Sequence, residues 1–310
     1  MKGVIDQDRK DELLEGFTNM FLEALRERAS DGPRSYGFEY EFISRRPLSL
    51  DRMEEIYRFL PSLDFDQDEG RFVSPSGIYI TFEPGGQIEY HSRPVYGWDK
   101  TWLDETSSEI EATNEAILNT LGIEYLGVGY IPDRMDAPLC LTTERYRNLH
   151  ARLQRSGTRG LEMMKGTASI HLHVVVRNSQ ELPILFHELC RLSRSEEFGM
   201  SQDRRDIWDN TDPTRCGQAV CGHEALRGSE ELVRELVRFA LDAVDLWEDV
   251  PFRQRTNVTF DKFLYHMTTI FTDVRINFKG PTLELRTPDS IPMPSFQEKW
   301  KKFISILEEH

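Results

Sequence analysis

Alternation between apolar and polar side chains predicts four β-strand segments in this chain. Residues 36–42 alternate strictly, with aromatic side chains on one face and Glu39 and Glu41 on the other. The same period of two recurs in three further segments, which are residues 78–90 around a Pro-Gly-Gly turn, 167–176 and 281–286. Because side chains alternate across a strand, each segment has one face suited to a hydrophobic core and one polar face.

Apolar residues spaced by three and four predict amphipathic helices before, between and after these strands. The predicted helices are residues 8–29, 50–60, 98–121, 141–153, 182–192, 229–247, 260–269 and 295–307. Shorter strands are predicted at 123–131 and 274–278, and loops at 64–70, 156–164 and 199–222. This order favours an α+β fold, a mainly antiparallel sheet with helices packed on one face. With no internal repeat and no low-complexity linker, we expect one domain over residues 1–310.

The charge of the chain restricts its partners. Acidic residues number 53 and basic residues 38, giving a net charge of -15, which argues against binding to nucleic acid or to an anionic membrane. Residues 1–15 are polar, and no apolar run reaches the length that spans a bilayer. We therefore predict a cytoplasmic protein whose four widely spaced cysteines are reduced.

Each of the four alternating segments carries paired functional groups on its polar face. The pairs are Glu39 with Glu41, Glu83 with Glu89, His171 with His173, and Glu284 with Arg286. If these strands are neighbours in one antiparallel sheet, their polar faces form a floor of carboxylates and imidazoles. Such a density of acid requires cations, and Mg²⁺ prefers carboxylate oxygens while leaving positions open for substrate phosphates.

This floor fits ATP-dependent chemistry, although a two-metal hydrolase would present a similar pattern. The two histidines are either a structural hydrogen-bonding pair or a contact to metal or phosphate. Arg286 is suited to hold the oxygen of a transferring phosphoryl group. Neither a phosphate-binding P-loop motif nor a dinucleotide-binding glycine motif occurs in the sequence.

Several short motifs follow one another along the chain. They are Phe-Glu-Tyr-Glu at 38–41, Glu-Pro-Gly-Gly-Gln-Ile-Glu at 83–89, Gly-Leu-Glu-Met-Met at 160–164, Ile-Trp at 207–208 with Asp212 and Arg215, His-Met-Thr-Thr-Ile-Phe at 266–271 with Val-Arg at 274–275, and Leu-Glu-Leu-Arg at 283–286. In sequence and in order they resemble the signatures of plant-type glutamate-cysteine ligases. The resemblance extends over about residues 36–290, and its Glu-Pro-Gly-Gly-Gln element is highly specific.

The resemblance implies a glutamine-synthetase-like catalytic domain in residues 36–290, preceded by an N-terminal helix in 1–35 and followed by a C-terminal helix in 291–310. It also implies ATP and Mg²⁺ as cofactors. The implied reaction forms an amide bond in two steps, in which a carboxylate becomes an acyl phosphate and an amine then displaces the phosphate. The implied substrates are small-molecule amino acids or a carrier-bound carboxylate.

Roles for individual residues follow from the same resemblance. The implied Mg²⁺ ligands are Glu39, Glu41, Glu83, Glu89 and Glu284. The predicted catalytic residues are Arg286, Arg204 and Arg215, and the predicted cofactor contacts are His171, His173, Arg286 and Lys165. The predicted substrate contacts are Arg204, Arg215, Tyr146 and Trp208.

The sequence also departs from the plant-type pattern. His171 and His173 stand where those ligases have Gln and Asn, Lys165 stands where they have Arg, and Phe42 stands where they have Lys. The metal and phosphoryl groups therefore match the pattern, while the groups on the substrate side differ from it. Two alternatives to a ligase stay open, namely a homologue that binds nucleotide or amino acid without turnover, and a two-metal hydrolase.

Overall fold

The structure, a computed structural model, describes residues 2–217, 228–277 and 280–309. This part of the chain contains ten α-helices, two short 3₁₀ helices and twelve strands. The helices are α1 (Lys2–Glu27), α2 (Leu50–Phe59), α3 (Lys100–Leu121), α4 (Glu144–Ser156), α5 (Gly160–Gly166), α6 (Glu181–Leu192), α7 (Gln202–Asp209), α8 (Ser229–Asp242), α9 (Phe260–Met267) and α10 (Met293–Glu308). The strands are β1 (Ser35–Ser44), β2 (Asp66–Asp68), β3 (Arg71–Val73), β4 (Tyr79–Phe82), β5 (Ile88–His91), β6 (Val95–Tyr96), β7 (Tyr125–Leu126), β8 (Ile170–Val175), β9 (Cys216–Gly217), β10 (Phe271–Thr272), β11 (Val274–Asn277) and β12 (Thr282–Leu285).

A mainly antiparallel sheet occupies the centre of the molecule, and the predicted α+β class is confirmed. Its strand order is β11-β12-β8-β1-β5-β4-β3-β2, and β6 and β7 pair with the two ends of β1. The central strand β1 pairs with β5 on one side and with β8 on the other. The four segments with alternating polarity are therefore neighbours, because they supply β12, β8, β1, β5 and β4 in that spatial order.

The apolar face of the sheet packs against helices and forms the main hydrophobic core. Phe38 of β1 lies against Phe296 and Trp300 of α10, with ring centroids 4.9 and 5.4 Å apart. At the other end of the chain, Phe17 of α1 packs 4.7 Å from Phe263 of α9. The first and last helices thus belong to the same core as the sheet.

A second, smaller core is built from α4, α5 and α7, and we call these three helices the roof. Its apolar members include Leu149, Leu153, Met163, Met164 and Trp208. Loops were expected for much of this region, and that expectation is wrong for α5 and α7. These helices contain only 7 and 8 residues, which is too short for a helical period to stand out in the sequence.

Other element predictions need correction at two places. The segment 64–70, expected to be a loop, contributes to a hairpin of β2 and β3. Only Tyr125–Leu126 of the strand expected at 123–131 forms a strand, which is β7. The residues that follow β7 pack directly on the segment before α10. A Cβ on Gly127 would lie 2.4 Å from the carbonyl oxygen of Ile291. Phe278, at the end of the strand predicted next to β12, lies outside the described residues.

The cysteines differ from the expectation that all four are reduced. Cys140 and Cys216 are free and buried, whereas Cys190 is disulfide-bonded, so the prediction is wrong for that residue. Cys221 lies outside the described residues. Within the described ranges, no helix combines the length and the apolar character required to cross a membrane.

The Pro-Gly-Gly corner between β4 and β5 is held tightly against α5. A Cβ on Gly85 would lie 2.6 Å from the Cα atom of Lys165, and Gly86 has a φ of +82°, which disfavours other residues. The side chain of Gln87 accepts a hydrogen bond from the Gly85 N–H at 2.9 Å and donates one to the Thr167 carbonyl at 2.8 Å. The corner is therefore fixed to the segment that joins α5 to β8.

Replacing Gly85 with alanine should lower the free energy of unfolding by about 1–3 kcal/mol, because the backbone of α5 must move to admit the methyl group. Gly16→Ala is the matched control, since nothing lies within 4 Å of its added Cβ in α1. That change should raise stability by about 0.5–1 kcal/mol. Denaturant unfolding measures both, and equal effects at the two positions would contradict the packing described for the corner.

Candidate active site

Strand register brings the paired polar residues of the sequence together on one face of the sheet. The directly opposed pairs are Glu41 with Glu89, Glu39 with His171, and Glu284 with His173. Glu83 follows the last residue of β4 at the Pro-Gly-Gly corner. We call Glu39, Glu41, Glu83, Glu89 and Glu284 the acidic cluster.

Glu39 lies among three imidazole rings. Nδ1 of His171 is 2.7 Å from its Oε2 atom, while His91 and His173 lie 3.6 and 3.5 Å from its Oε1 atom. Removal from water raises the pKa of this carboxyl group, but His173, His171 and His91 lower it by more, and the pKa falls well below its ordinary value. The three imidazole contacts therefore favour the ionised form of Glu39.

Glu41 and Glu89 face each other across β1 and β5 but have different partners. Ser169 donates to Oε2 of Glu41 from its backbone N–H at 2.7 Å and from its hydroxyl at 3.1 Å. Oε2 of Glu89 accepts a hydrogen bond from Thr81 at 2.8 Å and lies 3.0 Å from Nε2 of His91. Burial raises the pKa of Glu41, with a further contribution from Glu89. Burial also raises the pKa of Glu89, but His91 lowers it below the ordinary value.

The surroundings of Glu83 favour its protonated form over its charged form. Removal from water and repulsion by Glu89 and Glu41 raise its pKa well above the ordinary value. The guanidinium of Arg145 acts in the opposite direction without cancelling the shift. A cation placed between these carboxylates would remove the repulsion.

Glu284 is held between two arginines. Arg275 donates to it from Nε at 2.6 Å and from Nη2 at 3.1 Å, and Arg286 donates from Nη1 at 2.8 Å. Burial raises the pKa of Glu284, but Arg275 and Arg286 outweigh this and lower it to about 2. The buried Nε of Arg286 has no hydrogen-bond partner, so this arginine keeps a donor for a further group.

Two cavities meet at Glu39. The first, of about 250 Å³, lies between the acidic cluster and the roof, and Arg145, Tyr146, Trp208 and Arg286 also line it. The second, of about 380 Å³, also has Glu39 in its lining, together with Tyr79, His91, His173, Asn277 and Thr282. The acidic cluster therefore adjoins two spaces that separate ligands can occupy.

The donor atoms of the floor suit divalent cations. Two groups of three residues present ligand atoms within 4.8 Å of one another, namely Glu39 with Glu89 and His171, and Glu39 with His173 and Glu284. Carboxylate oxygens and imidazole nitrogens are both common ligands of divalent metals. The raised pKa values of Glu41 and Glu83, which arise first from burial and then from repulsion by neighbouring carboxylates, indicate that the protein does not fully stabilise their charged forms. The floor thus carries two donor sets of the kind that binds a divalent cation, and Glu39 belongs to both.

The structure brings only some of the predicted site residues to the cavities. Arg286, His171, Tyr146 and Trp208 line the first cavity, and His173 lines the second. The lining of neither includes Lys165, Arg204 or Arg215.

Lys165 and Arg215 are instead engaged in internal contacts. Nζ of Lys165 donates to the carbonyl oxygen of Met135 and, at 2.7 Å, to that of Ala137. Arg215 is fully buried. It donates to Asp212 at 2.9 Å and to the carbonyl oxygen of Thr269 at 3.0 Å, and also to the carbonyl oxygen of Val244.

Arg204 lies behind the wall of the first cavity. It is fully buried, donates to Asp289 at 2.7 Å and to the carbonyl oxygen of Thr287 at 3.1 Å, and its guanidinium stands 5.4 Å from the ring centroid of Trp208. Its Nε and Nη2 atoms have no hydrogen-bond partner. Its charge lowers the pKa of Glu41, which shows that it lies near the cluster.

Sequence reasoning assigned no role to four residues that the structure places at the site, which are His91, Arg145, Ser169 and Arg275. The sequence pattern could have indicated His91, because this residue continues the polar alternation of Gln87 and Glu89 along β5. Ser169 likewise precedes His171 by two residues. Arg145 had no such signal, since it lies on a helix far from the sheet in sequence.

Comparisons with known proteins agree with the geometry. A model of glutamate-cysteine ligase family 2 (GCS2) matches residues 36–307. The chain is 24% identical over 300 residues to "Glutamate--cysteine ligase A, chloroplastic" of Oryza sativa subsp. indica, covering 83% of this chain and 58% of the relative. It is 24% identical over 295 residues to the chloroplastic glutamate-cysteine ligase of Arabidopsis thaliana, covering 82% of this chain and 55% of the relative.

A bacterial relative gives a similar result. "Glutamate--cysteine ligase EgtA" of Mycolicibacterium smegmatis is 26% identical over 289 residues, which cover 82% of this chain and 63% of the relative. The chain therefore spans somewhat more than half the length of the curated relatives that it matches.

Replacing Glu83 with glutamine should raise the stability of the metal-free protein by roughly 1 kcal/mol at neutral pH, because it removes repulsion by Glu89 and Glu41. The folded-state pKa of Glu83 is raised, so its carboxyl group destabilises the fold increasingly as the pH rises above about 4.5. The advantage of glutamine should therefore shrink as the pH falls toward that value. Thermal unfolding with a chelator measures this, with the exposed Glu105→Gln as control. A destabilised Glu83→Gln variant at neutral pH would contradict the described electrostatics.

Replacing Arg215 with lysine should lower the free energy of unfolding by roughly 2–4 kcal/mol, because a single ammonium nitrogen cannot reach the separate acceptors that Nε, Nη1 and Nη2 of the guanidinium contact. Arg155→Lys is the control, since Arg155 is exposed and its charge pairing should matter by less than about 0.5 kcal/mol. Denaturant unfolding compares them. Unchanged stability of Arg215→Lys together with lost amino acid binding would instead favour a direct substrate contact.

Proposed function

This chain belongs to glutamate-cysteine ligase family 2, and we propose that it is an ATP-dependent ligase that joins a carboxylate to an amine. The observation that carries the proposal is the convergence of five carboxylates and two arginines, Arg275 and Arg286, on one floor beneath a partly open cavity. A floor of this kind is suited to holding divalent cations and phosphate groups together.

In the proposed reaction, a carboxylate oxygen of the first substrate attacks the γ-phosphorus of ATP. The bond from that phosphorus to the bridging oxygen breaks, and ADP leaves with the electron pair. The amine nitrogen of the second substrate then attacks the acyl carbon of the acyl phosphate. The carbon–oxygen bond to phosphate breaks, the nitrogen loses a proton, and an amide and inorganic phosphate result.

The acidic cluster would hold Mg²⁺ through Glu39, Glu41, Glu83, Glu89 and Glu284, while His171 and His173 would orient Glu39, which both of them contact. Bound Mg²⁺ would offset the charge of the phosphates. Arg286 would donate to the transferred phosphoryl group through its unpartnered Nε. Glu284 fixes the orientation of this arginine, because it accepts a hydrogen bond from Nη1.

We assign the two cavities to different substrates. The nucleotide would enter the second cavity, where His173, Asn277 and Thr282 offer polar groups beside Glu39. The amino acid substrates would occupy the first cavity, where Tyr146 and Trp208 form part of the wall. Both assignments place the transferred phosphate at the shared acidic cluster.

Lys165, Arg204 and Arg215 line neither cavity and would stabilise the fold around the site. Lys165 holds the Pro-Gly-Gly corner, since its backbone contacts Gly85 and its side chain binds two carbonyl groups. The guanidinium of Arg204 packs against the ring of Trp208. The hydrogen bonds of Arg215 join the segment after α7 to the segment after α9. The names of the relatives give no support to a carrier-bound carboxylate, so small amino acids are the substrate class we favour.

Purified protein with ATP and Mg²⁺ should form ADP only when a carboxylate and an amine substrate are both present, as measured by a coupled ADP assay over a panel of amino acid pairs. Nucleotide binding without ADP from any pair would favour the non-catalytic homologue. Product release from a single substrate without ATP would favour the hydrolase.

Arg286→Lys should lower kcat about 10²–10³-fold, because lysine loses the donor that faces the phosphoryl group. Its thermal unfolding should be followed in parallel, so that loss of the Glu284 contact is not mistaken for a catalytic effect. The exposed Arg46→Gln should retain full activity. A folded Arg286→Lys variant with unchanged kcat would remove Arg286 from the mechanism.

A further inference from the structure

Two opposed carboxylates of the acidic cluster, Glu41 and Glu89, are held in the same way, each by one oxygen. Oε2 of Glu41 accepts hydrogen bonds from the backbone N–H and the hydroxyl of Ser169. Oε2 of Glu89 accepts one from the Thr81 hydroxyl at 2.8 Å and lies 3.0 Å from Nε2 of His91. Among the described residues, Oε1 of neither carboxylate accepts a hydrogen bond. These two Oε1 atoms are therefore available to a divalent cation.

The imidazole of His91 is itself fixed by its neighbours. The Thr81 hydroxyl donates its one proton to Glu89, so its oxygen accepts from the Nε2–H of His91 at 2.7 Å. Tyr79, directly opposite on β4, stacks on the imidazole with ring centroids 4.2 Å apart and an interplanar angle of 6°. His91 is buried. Its orientation is thus set by stacking and by hydrogen bonding together.

His91 contacts Glu89 more closely than His171 does, although both imidazoles lie beside Glu39. The nearest nitrogen of His171 is 4.0 Å from Glu89, and that nitrogen already contacts Glu39 at 2.7 Å. Nδ1 of His91 lies 3.6 Å from Oε1 of Glu39, while its Nε2 contacts Glu89. His91 therefore joins the two carboxylates of the donor set that comprises Glu39, Glu89 and His171.

We propose that His91 is a positioning residue for a divalent cation, because together with Thr81 it holds Oε2 of Glu89 and leaves Oε1 available to the cation. The inference rests on the proposed function only in taking Glu89 as a cation ligand. Without these two contacts the carboxylate group can rotate, and a cation must then order it on binding, which lowers the affinity. Stacking on Tyr79 limits the same freedom in the imidazole.

The test measures Mn²⁺ binding to the full chain without nucleotide, from the electron paramagnetic resonance signal of free Mn²⁺. Mn²⁺ accepts the same carboxylate ligands as Mg²⁺. His91→Asn should raise the Kd for Mn²⁺ about ten- to hundredfold, because the shorter amide does not reach the position of Nε2. His91→Gln should recover part of this loss, since its terminal N–H does reach that position. A folded His91→Asn variant with a Kd within about twofold of the parent chain would overturn the proposal.

Thr81 offers a second test that leaves the imidazole in place. Thr81→Val removes the hydroxyl group at nearly constant shape and should also raise the Kd for Mn²⁺, whereas Thr81→Ser keeps the hydroxyl and should retain most of the affinity. The matched control is Thr101→Val, at an exposed position of α3, which should leave the Kd unchanged. Thermal unfolding establishes that each variant is folded. Equal affinities of Thr81→Val and Thr81→Ser would overturn the positioning of Glu89 described here.

The ADP assay on the same proteins separates this inference from the ligase proposal. ADP formation by the parent chain, together with equal Mn²⁺ affinities of the parent and His91→Asn, would overturn the inference and leave the ligase proposal standing. Weakened Mn²⁺ binding by His91→Asn, with no ADP from any amino acid pair, would support the inference and count against the ligase. A parent chain that binds no Mn²⁺ would overturn the inference and the proposed cation ligands together.

Discussion

Repulsion among five carboxyl groups on one face of the sheet is the constraint on which the remaining structure depends. Glu284 is fully buried and Glu41 and Glu89 nearly so, so solvent contributes little screening. The chain offsets this charge with imidazoles and guanidiniums from neighbouring strands, as at Glu39 and Glu284. Burial, together with repulsion between neighbouring carboxylates, still raises the pKa values of Glu41 and Glu83. The protein therefore does not fully stabilise the charged forms of these two carboxyl groups.

The two hydrophobic cores follow from the same arrangement. A sheet whose one face carries charge can bury only its other face against helices, and the main core lies there. The roof covers the charged face and has an apolar core of its own. The Pro-Gly-Gly corner joins the two layers, because Gly85, in the turn between β4 and β5, packs directly on Lys165 of the roof.

Strand periodicity allowed the polar faces to be predicted, because a strand side chain has only two directions to point. His91 was predictable from the same periodicity, because it lies on the same strand face as Gln87 and Glu89. It could not predict the roof, since helices of two turns leave too short a pattern. It also could not show that Arg215 is used internally, because its partners come from separate segments that only the fold brings together. Resemblance to a family indicates a residue type at a position, not the direction in which its side chain points.

Glu39 has a further consequence, because it lines both cavities. Its single negative charge contributes to the electrostatic potential in each space, so a ligand that neutralises it from one side weakens the attraction felt on the other. Occupancy of the two cavities is therefore thermodynamically linked through one carboxylate. Linkage is reciprocal, so whatever factor the first ligand applies to the affinity of the second, the second must apply to the first.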